Sequence, residues 1–545
     1  MILAGLAIFG LWKVNSAEMM EVPVHGGTLS EGMVGIPRFI NPVLASSETD
    51  RDLTKLVYSG LLTVSPDGTY VPDLAESYQV SDDGLTYTVK LKDNLKWQDG
   101  EPVTADDVLF TIQKIQDDKL NSPNKANWVG VTVEKIDDRT IVFHLREPYG
   151  PFLENLTVGI LPKHLWDNKT PQEFLFSTYN IHPVGTGPYK MAGILYQDSG
   201  VPKEYQLTAF SGYAGGNPYI QNLKISFFKT EDDLLSAIRD GRVESAAEIN
   251  PEEAASLADD GFTVKTAPLL RIFAVFFNQS QNPIFADKSV REALELAVDK
   301  NAIIEQALSG YGTAINGPIP PGTVGFQSDS ASSSLNREDA ITKAKSLLEA
   351  DGWTYDETEK VYKKGEGSDA QTLAFTLETS DVPELKKTAQ ILQENWKMIG
   401  ANVTIKSDEV ESLNQNVIRP RKYDALLFGQ ITGRNPDLYA FWHSSERLDP
   451  GLNVAMYTNA DADKILETAR QISNLSERAE KDQEFSEILA QDHPAIFLYA
   501  PEFLYVVPKK LRGMELGGIS VSSDRFSDIA KWYVDTEHVW KFFTS

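Results

Sequence analysis

Seventy-eight of the 545 residues are Asp or Glu, and several are adjacent: Asp82-Asp83, Asp106-Asp107, Asp117-Asp118, Asp137-Asp138, Glu231-Asp232-Asp233 and Asp259-Asp260. Two carboxylates about 5–10 Å apart across a sugar are what glycoside hydrolysis needs. In so acidic a chain such pairs arise by chance, and most of these fall in turns or at helix starts, so they assign no catalysis. The seven histidines, His25, His144, His164, His182, His443, His493 and His538, are too far apart in sequence for a local metal-binding helix. Gly185-Thr186-Gly187-Pro188 lacks the third glycine of a phosphate cradle and is interrupted by proline, which makes it a turn. No Gly-x-Ser-x-Gly elbow occurs. Cysteine is absent, which excludes disulfides, thiolate metal sites, cysteine nucleophiles and a lipid-modified N-terminal cysteine. No catalytic residue, metal ligand or cofactor site is assigned.

The charge balance narrows the partners. Lys plus Arg number 51, for a net charge of −27, and a field of that sign repels nucleic-acid phosphates and anionic headgroups. Apolar residues at 41% and aromatics at 10% supply the burial that disordered chains lack, and the length predicts two to four compact lobes. Ile2 to Trp12 is an apolar run followed by Lys13. It is shorter than the roughly 20 residues of a membrane span and has the length of a signal-peptide core. Residues 1–20 are therefore expected to be an export signal or membrane anchor dispensable for folding, and the only link to a membrane.

The elements alternate in type. Ser81-Asp82-Asp83-Gly84 is turn chemistry ahead of the β-formers Thr86 to Leu91, and Ile141 to Leu145 alternates as a strand ending before Pro148. Thr104, three before Asp107, predicts a capping box for a helix burying Val108, Ile112 and Ile115. Further on, Val290 to Ala297 keeps helical spacing and Asp299 caps the next helix. The stripes Ala340 to Leu348 and Leu385 to Ile399 stop at Gly352 and Gly400, the latter before a strand from Asn402. The class is α/β, strand-rich before about residue 230 and helix-rich after it.

Over most of its length the chain also carries a fixed order of short motifs. They run from Pro37-Arg38-Phe39-Ile40-Asn41-Pro42 and Leu56-Val57-Tyr58-Ser59-Gly60-Leu61 to Pro66-Asp67-Gly68 and Pro72-Asp73-Leu74-Ala75-Glu76-Ser77. Asp83-Gly84, Trp97-Gln98-Asp99-Gly100, Thr104 to Val108 and Pro183 to Lys190 follow, then Phe277-Asn278, Asn435-Pro436-Asp437 and Asn453 with Tyr457-Thr458-Asn459. In this it resembles the oligopeptide/dipeptide-type extracellular solute-binding proteins of ABC importers, solute-binding protein family 5. The resemblance implies a three-lobed periplasmic-binding-protein clamp (type II, cluster C) with the ligand cleft between two lobes. Lobe I would take 21–60, 183–270 and 503–545, lobe II the insertion 61–182, and lobe III 271–502. It implies a monomeric, extracytoplasmic receptor, not an enzyme, that captures peptides and delivers them to ABC permease transmembrane subunits. A peptide chaperone or sensor, or a binder of a nickel chelate or sugar, is the alternative for the same clamp.

Two segments match the family's cleft-lining motifs: Glu31 and Gly32 in the first, and Gln430, Ile431, Thr432 and Gly433 in the second, followed by Asp437, Trp442 and Asn453. Gly32 reads equally as a close approach to ligand or as a turn, Trp442 as core or as a pocket wall, and Asp437 as a helix cap or as ligand-facing. Peptide-binding relatives hold the ligand's α-ammonium with an aspartate near this segment. An ungapped placement puts Thr432 there, a hydroxyl without charge.

Overall fold

The structure, a computed structural model, describes residues 19–327, 336–367 and 370–540. The apolar run Ile2 to Trp12 lies outside them. Among the described residues no helix is long and apolar enough to cross a membrane. The expected leader boundary at residue 20 needs correction: strand Met19–Val24 pairs antiparallel with Asp535–Trp540, Met19 opposite Trp540, so Met19 and Met20 belong to the folded body.

The main sheet has twelve strands. Its longest, Ala495–Val507, is nearly all apolar and joins two halves. At one end it pairs with Arg271–Phe277 and at the other with Thr263–Pro268. The half around Arg271–Phe277 continues through Ala425–Ile431, Ala374–Ser380 and Asn402–Asp408. It is covered on both faces, which is why its central strand Arg271–Phe277 reads as a nearly continuous apolar run, whereas the edge strand Asn402–Asp408 is largely polar and exposed. Side chains alternate along Arg271–Phe277. Ile272, Ala274 and Phe276 enter a core with Trp442, Phe485 and Phe497, while Val275 and Phe277 enter one with Leu294, Leu392 and Trp396. The helices on that second side are Lys288–Leu296, Lys300–Ala307, Arg337–Ala350 and Pro383–Lys397. Asp299 accepts from the Ala302 amide at 3.0 Å, and Gly352 and Gly400 take positive φ just past their helices.

The other half runs through Ser245–Ala247, Gly26–Val34, Ile220–Phe228, Pro202–Ala209 and Tyr189–Tyr196. A separate antiparallel sheet, in order Ala75–Val80, Thr86–Leu91, Thr140–His144 and Thr132–Lys135, packs with helix Ala105–Gln116. There the Thr104 amide donates to Asp107 Oδ2 at 2.8 Å, and Val108, Ile112 and Ile115 are buried. The Gly185–Gly187 turn lies against backbone: a Cβ on Gly185 would stand 2.0 Å from the Val57 carbonyl oxygen.

Candidate functional site

Strand Gly26–Val34 and helix Glu48–Val57 each carry a buried acid, Glu31 and Asp52, and both acids meet Arg525 of the turn Ser522–Phe526. Arg525 Nη2 donates to Glu31 Oε1 at 2.9 Å and to Asp52 Oδ2 at 2.6 Å, and Nη1 reaches Asp52 Oδ1 at 3.0 Å. Tyr505 Oη and Ser245 Oγ donate to Glu31 Oε2 at 2.6 and 2.5 Å. Burial pushes Asp52 up to about 6 despite the guanidinium. Every oxygen of Glu31 is occupied, so Glu31, expected in the cleft, is a structural residue. Gly32 is explained the same way: a Cβ there would stand 2.3 Å from Leu234 Cδ1, so helix Glu231–Arg239, not a ligand, requires the glycine.

The second expected segment divides. Trp442 is buried among Phe276, Tyr457, Phe485 and Phe497, a core residue rather than a pocket wall. Asn453 Nδ2 donates to the carbonyls of Trp442, His443 and Tyr457 at 3.0–3.1 Å and its Oδ1 accepts from the Tyr457 amide. That spends the whole amide on backbone and corrects the expectation that it meets ligand. Asp437 pairs with Arg470 at 3.1 Å. Thr432 is buried, and its hydroxyl donates to the Leu270 carbonyl at 3.1 Å. Gln430 is buried, with Oε1 unpartnered among the described residues. Ile431 is 57% exposed, and Gly433 turns the chain at φ +69°. A Cβ on Gly433 would stand 3.9 Å from both carboxylate oxygens of Glu154.

Beside that turn lies a cavity of about 480 Å³. Its wall comes from the 42–64 stretch, from 124–159, from 520–524 and from Arg434. Two of its cations are already paired: Arg51 with Glu48 at 2.5 Å, and Arg434 with Asp524 at 2.8 Å. Asp524 also accepts the Ser520 and Val521 amides. Among the described residues Lys55 has one hydrogen bond, to the Thr63 hydroxyl at 3.4 Å, and burial pulls its ammonium below the usual lysine value, partly countered by Asp524 and Asp73. Glu154, in the short helix Phe152–Asn155, has no hydrogen-bond or ion-pair partner for its carboxylate among the described residues. Burial raises it, partly countered by Arg434. The Tyr58 hydroxyl and Arg434 Nε are likewise buried and unpartnered. A larger cavity of about 700 Å³ adjoins at Tyr149, between 126–152 and the residues Tyr439, Glu467 and Arg470. The walls are tied together by Asn435 Nδ2 donating to Tyr70 Oη at 3.0 Å and the Gly150 amide donating to the Arg470 carbonyl at 3.2 Å.

None of the nine residues expected from sequence lines the 480 Å³ cavity. Arg434, one residue beyond Gly433, was within reach of the motif. Tyr58 stands inside the Leu56 to Leu61 motif. Lys55 and Glu154 carry no local signal.

The sequence profile of the bacterial extracellular solute-binding proteins, family 5 (middle), matches residues 69–448. The oligopeptide-binding protein AppA of Bacillus subtilis is 28% identical over 530 residues, 94% of each chain. The structure of AppA from that organism in complex with a nonapeptide has a TM-score of 0.70 at 26% identity, covering 94% of this chain and 100% of that one. NikZ from Campylobacter jejuni in complex with Ni(L-His) has a TM-score of 0.71 at 27% identity, over 93% and 99%.

Proposed function

The chain belongs to the bacterial extracellular solute-binding proteins of family 5, and from that premise we propose that it is an extracytoplasmic receptor that captures peptides between its lobes and delivers them to the permease subunits of an ABC importer. The observation that carries this is the end-to-end likeness to an oligopeptide-binding protein, with a cavity at the place where three stretches of the chain converge. Lobes I and III pass into each other near 270 and 502, a division supported by the long strand Ala495–Val507, which pairs into both halves of the sheet. Ligand shifts such a clamp toward closure by its preference for the closed state. The receptor works as a monomer and does no chemistry on its cargo. Its tie to the membrane is the segment before residue 19. Ile431 and Gly433 are the residues of the expected set best placed to border ligand, given the exposure of the first and the nearness of Glu154 to the second.

Native mass spectrometry of gently purified protein, followed by small-angle scattering with the recovered ligand, tests this reading. A co-purifying peptide, released intact, and a smaller radius of gyration on binding are expected. Cleaved peptide in stoichiometric excess, or no capture from a mixed-length peptide pool, overturns it. The likeness to NikZ supports one second reading, a metal–amino-acid chelate as cargo, and titration with nickel–histidine in the same instrument separates the two.

A further inference from the structure

We infer that the 480 Å³ cavity is built for a short zwitterion, with Lys55 receiving its carboxylate and Glu154 its ammonium. This rests on the peptide reading and adds to it the ends that are recognised and the length class. The argument is a census of charge on the cavity wall. Arg51, Arg434 and Asp524 are neutralised within the protein by Glu48 and by each other. What remains is one cation and one acid, half-buried, on separate stretches of chain, neither in a direct ion pair among the described residues: Asp524 and the buried Asp73 act on Lys55, and Arg434 on Glu154, only at longer range. Charges held away from water without a partner are costly. A ligand with a single charge relieves one of them; a ligand with opposite charges at its two ends relieves both.

Two further groups beside that wall are donors without acceptors among the described residues, the Tyr58 hydroxyl and Arg434 Nε, both on side chains about nine-tenths buried or more. Buried donors are ordinarily satisfied, but both atoms are sealed from the cavity, so the charged pair alone carries the assignment. The volume lies within the range of pockets that enclose small molecules, which suits a di- or tripeptide held by its ends.

The test offers a randomised tripeptide mixture, its N-acetylated form and its C-amidated form to the full chain, and reads the bound fraction by native mass spectrometry. In the wild type each cap should weaken capture by about tenfold or more, as loss of a charge-assisted bond does. Glu154→Gln should abolish the acetylation penalty and leave the amidation penalty. Lys55→Met should do the reverse. Thermal melting checks that the variants fold, and Lys55→Gln replaces Lys55→Met if it does not. Cap penalties below about threefold in the wild type, or equal penalties in both variants, overturn the zwitterion site while the peptide reading stands. Failure of the wild type to capture any peptide, capped or free, overturns the peptide reading and this inference with it.

Discussion

Helix Glu48–Val57 contributes to two charge clusters that could hardly differ more. Asp52 is locked into Arg525, and that guanidinium is saturated by Glu31, Asp52 and the Ser522 carbonyl. Lys55, three residues along the same helix, faces a cavity with no direct ion pair and one long hydroxyl contact among the described residues. Both clusters are removed from water and both perturb the titration of their groups. Burial and a shifted pKa therefore do not separate structure from function here. What separates them is whether the hydrogen-bonding capacity is spent.

The largest effect should come from breaking the spent cluster. Arg525→Met leaves Glu31 and Asp52 buried without a counter-ion, and removing one partner of such a pair typically costs about 3–5 kcal/mol. Urea denaturation should show the loss, larger at pH 8 than at pH 5 because Asp52, already raised by burial, can take up a proton at the lower pH. A midpoint unmoved by the substitution would mean that the network contributes nothing to the fold.

Next comes Asn453, whose amide makes four bonds to backbone. Asn453→Ala leaves buried carbonyls unpaired and should cost about 2–3 kcal/mol. Peptide affinity of the folded fraction, measured by calorimetry, should stay within about twofold of wild type. A selective loss of affinity with unchanged stability would return Asn453 to the ligand site.

Asp482 sharpens the comparison from the other side, as a buried acid that Arg478 only partly supports. Burial pushes it up to about 7. A folded-state value above the ordinary 3.8 means that the fold prefers the protonated carboxyl. Its contribution to stability is complete below about pH 4 and is lost as pH rises through about 7. Asp482→Asn imitates the protonated form, so its melting temperature should match wild type near pH 4 and exceed it at pH 8, by the equivalent of about 1–2 kcal/mol. A difference of the same size at both pH values would remove titration as the cause.

The local elements were legible because their signals are local. The Thr104–Asp107 box, the Asp299 cap and the glycines after the helices at 350 and 397 each act within a few residues. The motif order was likewise enough for the family. The site was less legible because a polar residue in a motif looks the same whether it bonds the protein or a ligand. Glu31 and Asn453 proved to bond the protein. Lys55 and Glu154 meet only through the packing of distant stretches, so no spacing announces them. The strand Met19–Val24 escaped for a related reason, since its partner lies at the other end of the chain.

The smallest effect belongs to Thr432, a spent hydroxyl at the border of the unspent cavity. Its Oγ1 and its own amide both donate to the Leu270 carbonyl at 3.1 Å, and the Gly433 amide donates to the same oxygen at 3.3 Å. Thr432→Val keeps the shape and removes one of three donors from an acceptor that remains satisfied. The cost should be about 1 kcal/mol or less. Because the hydroxyl is turned to Leu270, the affinities for a free and an N-acetylated tripeptide should both stay within about twofold of wild type. Calorimetric titration of the two peptides against Thr432→Val and Glu154→Gln decides which residue sits at the ligand's amine. If Thr432→Val changes the ratio of the two affinities and Glu154→Gln leaves it alone, the hydroxyl is released to the ligand on binding, and the division between spent and unspent groups fails at this position.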